Sequence, residues 1–140
     1  MFARFRRKRI NPVLRDLLQE THLCVNDFIY PLFAKSGTGI KEEVNSMPGV
    51  YQMSIDEIVK ECYELNILGI YSIFIFGISD TNESVGSYGL CDHGIIAQTV
   101  LEVKASHTVM FVLTDLCFCE YTDHGHCGVI DPVLNTVDND

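Results

Sequence analysis

The sequence predicts an α/β fold with a parallel sheet, and three observations lead to this prediction. Helical and strand-like patterns alternate along the chain with short connections, as in βα units. The run from Tyr71 to Phe76 is almost continuously apolar, which is typical of a parallel strand covered on both faces. The length of 140 residues and the hydrophobic fraction of 47% are sufficient for one domain with a buried core.

The chain divides into an arm, assigned to residues 1–27, and a body, assigned to residues 28–140. A short helix from Arg15 to Glu20 is predicted within or just after the arm. The body begins with a predicted strand from Phe28 to Phe33. The segment 37–49 is rich in glycine and contains a Pro-Gly pair, so it is predicted to be a loop.

A helix from Ile55 to Leu68 is predicted from three features. The sequence from Ser54 to Glu57 fits a capping box, apolar residues recur at helical spacing, and Gly69 follows as a terminator. The apolar strand beginning at Tyr71 comes directly afterwards. Cys62 falls on the apolar side of this helix, so we interpret it as a packing residue.

Two segments are candidate site loops on the basis of position alone. After the apolar strand, the loop from Gly77 to Asp92 leads into a predicted helix from Ile95 to Lys104. A strand from Thr108 to Leu113 follows, and then the loop from Thr114 to Gly128. Parallel α/β proteins carry their chemistry in loops beyond the carboxyl ends of strands, so both loops qualify.

The second loop opens with alternating polar and apolar residues. In an extended chain, Asp115, Cys117 and Cys119 would share one face with a spacing of about 6.6 Å per pair. Two sulfurs on one tetrahedral zinc ion must lie closer together, so the backbone has to bend near Phe118. Cys127 returns to the same region after a loop that contains a glycine.

Three thiolates with one open position describe a catalytic zinc site. A fourth ligand from His124 or His126 would instead close the site. The alternative interpretation is that the cysteines and histidines lie near one another by chance or are merely reactive. Six cysteines could also suggest disulfides, but their uneven placement and the lack of a secretory signal favour metal binding.

The distribution of charge points to a partner for the arm. The net charge is −9, yet six of the ten basic residues lie in the first fifteen positions, where no acidic residue occurs. Such an arm can dock on an acidic sister subunit, which we favour, or bind nucleic acid or anionic lipid. We expect no nucleic-acid partner, because no nucleic-acid-binding motif accompanies the arm. With no apolar run long enough for a membrane span and no signal peptide, we expect a cytoplasmic protein.

The run from Asp115 to Gly128 closely resembles the metal-site segment of the porphobilinogen synthase family, also called 5-aminolevulinate dehydratase. The resemblance extends over essentially the whole chain. Further segments agree in the expected order: Arg6-Arg7-Lys8-Arg9, Leu14-Arg15, Glu20-Thr21, Tyr30-Pro31-Leu32-Phe33, Ser46-Met47-Pro48-Gly49-Val50, Gly69-Ile70, Phe76-Gly77-Ile78 and Val137-Asp138-Asn139-Asp140.

The resemblance implies that the α/β body is the amino-terminal part of a (β/α)8 TIM barrel preceded by an extended arm. It also implies a homo-oligomer, usually an octamer, in which the arm embraces a neighbouring subunit. Enzymes of this family are lyases that condense two molecules of 5-aminolevulinate, with loss of water, to porphobilinogen in haem and tetrapyrrole biosynthesis. That activity and that substrate are therefore expected here.

The resemblance also assigns site residues. It implies that Cys117, Cys119 and Cys127 hold a catalytic zinc ion, since members that use magnesium replace the cysteines with carboxylates. Asp115 is expected beside the Schiff-base lysines, where it would transfer a proton, orient an amine or act only as a structural cap. His126 matches a histidine associated with a second metal position in some members, and we retain it as a candidate metal ligand.

A complete (β/α)8 barrel needs about 250 residues, so this sequence is expected to supply only about the first three barrel strands. The two Schiff-base lysines of the family are expected on later strands, because none of the lysines of the body stands at those motifs. The chain alone is therefore expected to be inactive. The alternative is a non-catalytic module, derived from the enzyme, that binds zinc or docks on a subunit. The segment 131–136 departs slightly from the family pattern.

Overall fold

The computed structural model describes residues 5–138. The predicted arm and body extend beyond this range at residues 1–4 and 139–140, and those parts of the predictions lie outside the described residues. Five strands form one sheet: β1 (Tyr30–Lys35), β2 (Lys41–Glu43), β3 (Tyr51–Met53), β4 (Ser72–Ile78) and β5 (Phe111–Thr114). Their order across the sheet is β2-β3-β1-β4-β5. All neighbours are parallel except β2 and β3, which are antiparallel.

The described residues form three α-helices: α1 (Pro12–Leu17), α2 (Ile55–Ile67) and α3 (Ile95–Ser106). Short 3-10 helices cover Phe5–Arg9, Val25–Asp27 and Ser87–Leu90. Helices α2 and α3 pack against each other and against the sheet. Within residues 5–138, no helix has the length and apolar character needed to cross a membrane.

The core lies between the sheet and the helices α2 and α3. Alternate residues of β4 point into it, and Ile73 and Ile75 are fully buried. Burying an isoleucine side chain contributes about 1.5–3 kcal/mol, so these residues are major contributors to the stability of the sheet. The opposite face carries phenylalanines that are only partly buried. Phe33 and Phe76 stack there with ring centroids 5.2 Å apart, in agreement with their pairing across β1 and β4.

The predicted helix from Ile55 is confirmed, and so is the packing role of Cys62, which is fully buried. The predicted capping box is wrong. Ser54 is the N-cap residue, but its hydroxyl accepts the N–H of Ile40 at 2.9 Å and donates to the carboxylate of Asp56 at 2.6 Å. The Glu57 side chain pairs with Lys60 instead of reaching back to the cap. The two side chains thus bind partners other than the backbone N–H groups that a capping box would satisfy.

The other helices and strands differ from the predictions mainly at their ends. Helix α1 begins at Pro12 rather than Arg15, because the side chain of Asn11 accepts the N–H of Val13 and caps it. Strand β1 starts and ends two residues later than predicted, and it includes Pro31. The missing donor at Pro31 is tolerated because the pairing of β1 with β3 begins only at Phe33.

Short antiparallel pairings were not predicted. The segment expected to be a loop contains β2, which pairs with β3 across the turn at Gly49. Strands β6 (Ile130–Asp131) and β7 (Thr136–Val137) form a second hairpin, in the segment that departs from the family pattern. Asn135 has a positive φ of 51° in this turn, which asparagine adopts more readily than most residues.

Candidate metal centre

The candidate centre lies where β5 ends. The chain continues without regular structure through Asp115 and Cys117 and then bends at Phe118, as the sequence predicts. The carbonyl of Phe118 accepts the N–H of Tyr121 at 2.9 Å and of Thr122 at 3.1 Å. This tight turn reverses the chain and brings the sulfurs on either side of it together.

The three cysteine sulfurs converge. Cys127 Sγ lies 3.4 Å from Cys117 Sγ and 3.3 Å from Cys119 Sγ. Sulfurs on one tetrahedral zinc ion, with Zn–S bonds of about 2.3 Å, are about 3.8 Å apart, so small movements would accommodate the ion. Among residues 5–138, these three alone form a group of potential metal ligands whose donor atoms all lie within 4.8 Å of one another. A set of three thiols suits a borderline-soft ion such as zinc.

Cys119 and Cys127 differ in the pKa of their thiols. The backbone N–H of Phe118 donates to Cys127 Sγ at 3.2 Å and, together with hydrogen bonds from Cys119 and Cys117, lowers the pKa of Cys127 to about 7. Hydrogen bonds to Cys127 and Cys117 raise the pKa of Cys119 to about 11. Near neutral pH, Cys127 is therefore partly ionised, whereas Cys119 remains a thiol that can donate to it.

The predicted ligand His126 does not join this group of mutually close donor atoms. The His126 ring stacks on that of His124, with centroids 6.2 Å apart, and the backbone N–H of His126 donates to His124 Nδ1 at 3.3 Å. His124 Nε2 in turn donates to the carbonyl of Ser84 at 3.2 Å. His124 thus joins the metal loop, residues 114–128, to the loop after β4.

A cavity of about 240 Å³ opens beside the sulfurs. The two predicted site loops and the start of α3 line it, and Asp115 and Cys117 both contribute to its wall. Asp115 is half-buried there. The neighbouring carboxyl of Glu120 has a raised pKa, first because it is desolvated and second because of the charge on Asp115. Its Oε2 is buried without a hydrogen-bond partner.

Sequence reasoning missed the residues that hold the metal loop in place. Tyr121 and Thr122 are buried, although most of this loop is half-buried or exposed. Burial raises the pKa of Tyr121 to about 12. The available signal was an aromatic residue beyond the bend at Phe118, in the polar part of the loop, but nothing near it in the sequence indicates what it packs against.

Comparison with known proteins shows the family to which the chain belongs. The family model described as delta-aminolevulinic acid dehydratase matches residues 2–140. The chain belongs to the delta-aminolevulinic acid dehydratase family. The dehydratase of Helicobacter pylori strain J99 is 50% identical over 132 residues, which cover 94% of this chain and 41% of that protein. The dehydratase of Halalkalibacterium halodurans is 45% identical over 130 residues, which cover 93% of this chain and 40% of that protein.

The fold prediction is confirmed by a solved dehydratase. The crystal structure of delta-aminolevulinic acid dehydratase (porphobilinogen synthase) from Toxoplasma gondii ME49, in complex with the reaction product porphobilinogen, matches with a TM-score of 0.88 and 27% identity. The match covers 100% of this chain and 40% of that one. The described sheet and helices are thus part of a TIM barrel. The chain spans about two-fifths of the length of these dehydratases.

Proposed function

We propose that this chain supplies the metal-bearing wall of a site that condenses two molecules of 5-aminolevulinate, with loss of water, to porphobilinogen, a step of haem and tetrapyrrole biosynthesis. One observation carries the proposal: in a chain of the dehydratase family, three convergent thiols adjoin a cavity at the carboxyl ends of parallel strands. This is the end at which TIM-barrel enzymes hold their active sites.

Cys117, Cys119 and Cys127 would hold a zinc ion. When bound, zinc supplies Lewis-acid activation of a substrate carbonyl or hydroxyl oxygen. The backbone N–H of Phe118 already stabilises one of the three sulfurs as a thiolate. Metal loading then requires the loss of fewer protons than from three ordinary thiols.

Asp115 is proposed to act on the amino group of the substrate. Its carboxyl lines the cavity beside Cys117, and it raises the pKa of Glu120 through its negative charge. A carboxylate in the cavity wall favours an ammonium group over an anion, which suits 5-aminolevulinate at its amino end. Asp115 would orient this amine or accept a proton from it.

Schiff-base chemistry requires lysine, and no lysine of the described chain lines this cavity. Lys35, Lys41 and Lys60 pair with carboxylates elsewhere. Lys104 donates to the carbonyl of Met110 at 2.8 Å. We therefore propose that residues outside this chain supply the covalent lysines. The purified 140-residue chain with zinc and 5-aminolevulinate should form no pyrrole, and measurable turnover would refute this part of the proposal.

The metal assignment has a direct test. Metal analysis of the purified chain should find one bound zinc ion, and Cys117→Ser should abolish binding. Cys24→Ser is the matched control, because Cys24 is an exposed free cysteine distant in sequence from the cluster. The control should bind zinc as the unchanged chain does. Undiminished zinc in Cys117→Ser would remove Cys117 from the ligand set. The same measurement on His126→Ala decides whether that ring contributes.

A docking role is the second candidate function, and the exposure of the arm favours it. Residues 5–29 are all exposed, including large apolar side chains such as Ile10, Leu17 and Leu23. An apolar and basic surface of this kind suits the acidic body of another copy of the chain. We propose that the arm supports a homo-oligomer, an octamer in the complete enzyme.

The docking role is tested by removing residues 1–27. Light scattering should then give a smaller particle, while zinc content remains unchanged. A particle of unchanged size would refute the docking role. A loss of polyanion affinity without a change in size would favour nucleic-acid binding instead.

A further inference from the structure

Two buried side chains anchor the metal loop between its ligands. Tyr121 is 5% exposed and Thr122 is 3% exposed, whereas Cys119 is half-buried and Cys127 is exposed. Neither residue is a cysteine, histidine or carboxylate, and the group of convergent donor atoms consists of the three cysteine sulfurs. Because these two side chains are buried, they can fix the position of the loop that carries the ligands.

The Tyr121 ring occupies a slot that two glycines leave open. A Cβ atom on Gly77, in β4, would lie 2.6 Å from the Tyr121 hydroxyl oxygen and 2.8 Å from Ile96 Cγ1. A Cβ atom on Gly89 would lie 2.9 Å from Tyr121 Cδ2. Carbon atoms in ordinary contact are about 3.5–4.0 Å apart, so the slot holds this ring only while both positions lack a side chain.

Hydrogen bonds fix the loop in the same place. The N–H of Glu83 donates to the carbonyl of Tyr121 at 3.1 Å. The hydroxyl of Thr122 lies within hydrogen-bond distance of the carbonyls of Cys119, at 3.3 Å, and His126, at 3.0 Å. One of these carbonyls belongs to Cys119 itself, and the other belongs to the residue before Cys127. Thr122 therefore links the two parts of the loop that bear these sulfurs.

We propose that Tyr121, seated between Gly77 and Gly89, is the positioning residue of the metal centre. The ring fixes the turn from Phe118 to Thr122 against the loop after β4, and the sulfurs converge before the metal arrives. This inference rests on the proposed zinc site. Without the anchored turn, metal binding itself would have to order the three thiols, and the entropy lost in ordering them would lower the metal affinity. Supporting residues around metal ligands change affinity by about 10- to 100-fold when they are replaced.

The test measures zinc affinity of the full chain by competition with a chromophoric chelator. Tyr121→Leu removes the ring, and Gly89→Ala fills its slot, so each should weaken zinc binding by about 10- to 100-fold. Tyr121→Phe keeps the ring and should restore the original affinity. Tyr63→Leu is the matched control, because Tyr63 is 62% exposed on α2, and it should bind zinc normally.

Two further measurements separate positioning from general destabilisation. Saturating cobalt(II) should give Tyr121→Leu the same sulfur-to-metal charge-transfer band as the unchanged chain, because all three ligands are still present. Leu65→Ala, on the buried face of α2, should lower the melting temperature yet leave zinc affinity intact.

The outcomes distinguish the two proposals. If the unchanged chain binds no zinc, the proposed metal site fails. If it binds zinc and Tyr121→Leu and Gly89→Ala bind equally well, the positioning role is overturned and the metal site stands. If Tyr121→Leu or Gly89→Ala does not fold, the other variants decide. Weaker zinc binding by Tyr121→Phe would overturn the positioning role, and so would a loss of zinc affinity of about 10- to 100-fold in Leu65→Ala.

Discussion

The unequal thiols of the metal centre predict a specific order of chemical modification. In the metal-free chain at pH 7, a pKa of about 7 makes about half of Cys127 thiolate. A pKa of about 11 leaves about one part in 10⁴ of Cys119 as thiolate. The thiolate populations alone therefore favour Cys127 by about 5,000-fold.

Intrinsic nucleophilicity reduces this ratio. It falls with decreasing pKa by a Brønsted coefficient of about 0.4–0.5, which over the difference of about four units makes the Cys127 thiolate about 40- to 100-fold less nucleophilic. If alkylation follows the same dependence, Cys127 should react about 10²-fold faster than Cys119. Cys62 should be the slowest of the three, because it is fully buried and burial raises its pKa to about 11.

Iodoacetamide labelling at pH 7, resolved by peptide mass spectrometry over time, measures these rates site by site. Zinc should suppress labelling of Cys127 while leaving Cys24, an exposed free cysteine, unaffected. Equal initial rates at Cys119 and Cys127, or faster labelling of Cys119, would refute the hydrogen-bonded arrangement. Zinc that protects Cys24 as well as Cys127 would show that the protection is not specific to the cluster.

Two further predictions concern stability. Folding raises the pKa of the Glu120 carboxyl above its value in the unfolded chain. At a pH above the raised pKa, the ionised carboxylate therefore lowers the stability of the folded chain. At a pH below the pKa of the unfolded chain, the carboxyl is protonated in both states and has no such effect. Glu120→Gln should thus melt at a higher temperature than the metal-free unchanged chain at pH 7, and this gap should close as the pH falls below about 4.3. A gap that does not change with pH would contradict this explanation. Ile75→Ala should lower the free energy of unfolding by about 2–5 kcal/mol in urea titrations, because Ile75 is fully buried. Leu101→Ala, at a position that is 69% exposed on α3, should change it by less than about 0.5 kcal/mol, and similar losses in both variants would mean that the core is misassigned.

Sequence reasoning succeeded where the signal is local. The helix from Ile55 was predictable because its apolar residues recur every third or fourth position. The bend at Phe118 was predictable because extended cysteines cannot reach one ion. The α/β class followed from the alternation of such segments, and the barrel followed from family resemblance.

Three of the failures share a physical cause: the partner lies far away in the sequence. Ser54 satisfies the N–H of Ile40 rather than the end of its own helix. Strand β2 exists because it pairs with β3, and three residues with two glutamates give no strand signal by themselves. The shifted start of β1 likewise depends on its pairing with β4, which begins at Tyr30 opposite Ile73. Propensity and periodicity carry no information about such contacts.

The metal centre combines both kinds of information, and this has a consequence for how the site is built. Its three thiols lie within one loop, so their pattern is visible in the sequence. The slot for Tyr121 is formed by Gly77 and Gly89, which belong to the preceding βα unit. Strands β4 and β5 pair in parallel from Ser72 opposite Phe111 to Ile75 opposite Thr114, and this pairing sets the slot and the loop side by side. The spacing of the sulfurs therefore depends on two βα units packing correctly, and a change that alters this pairing should weaken metal binding without touching a ligand.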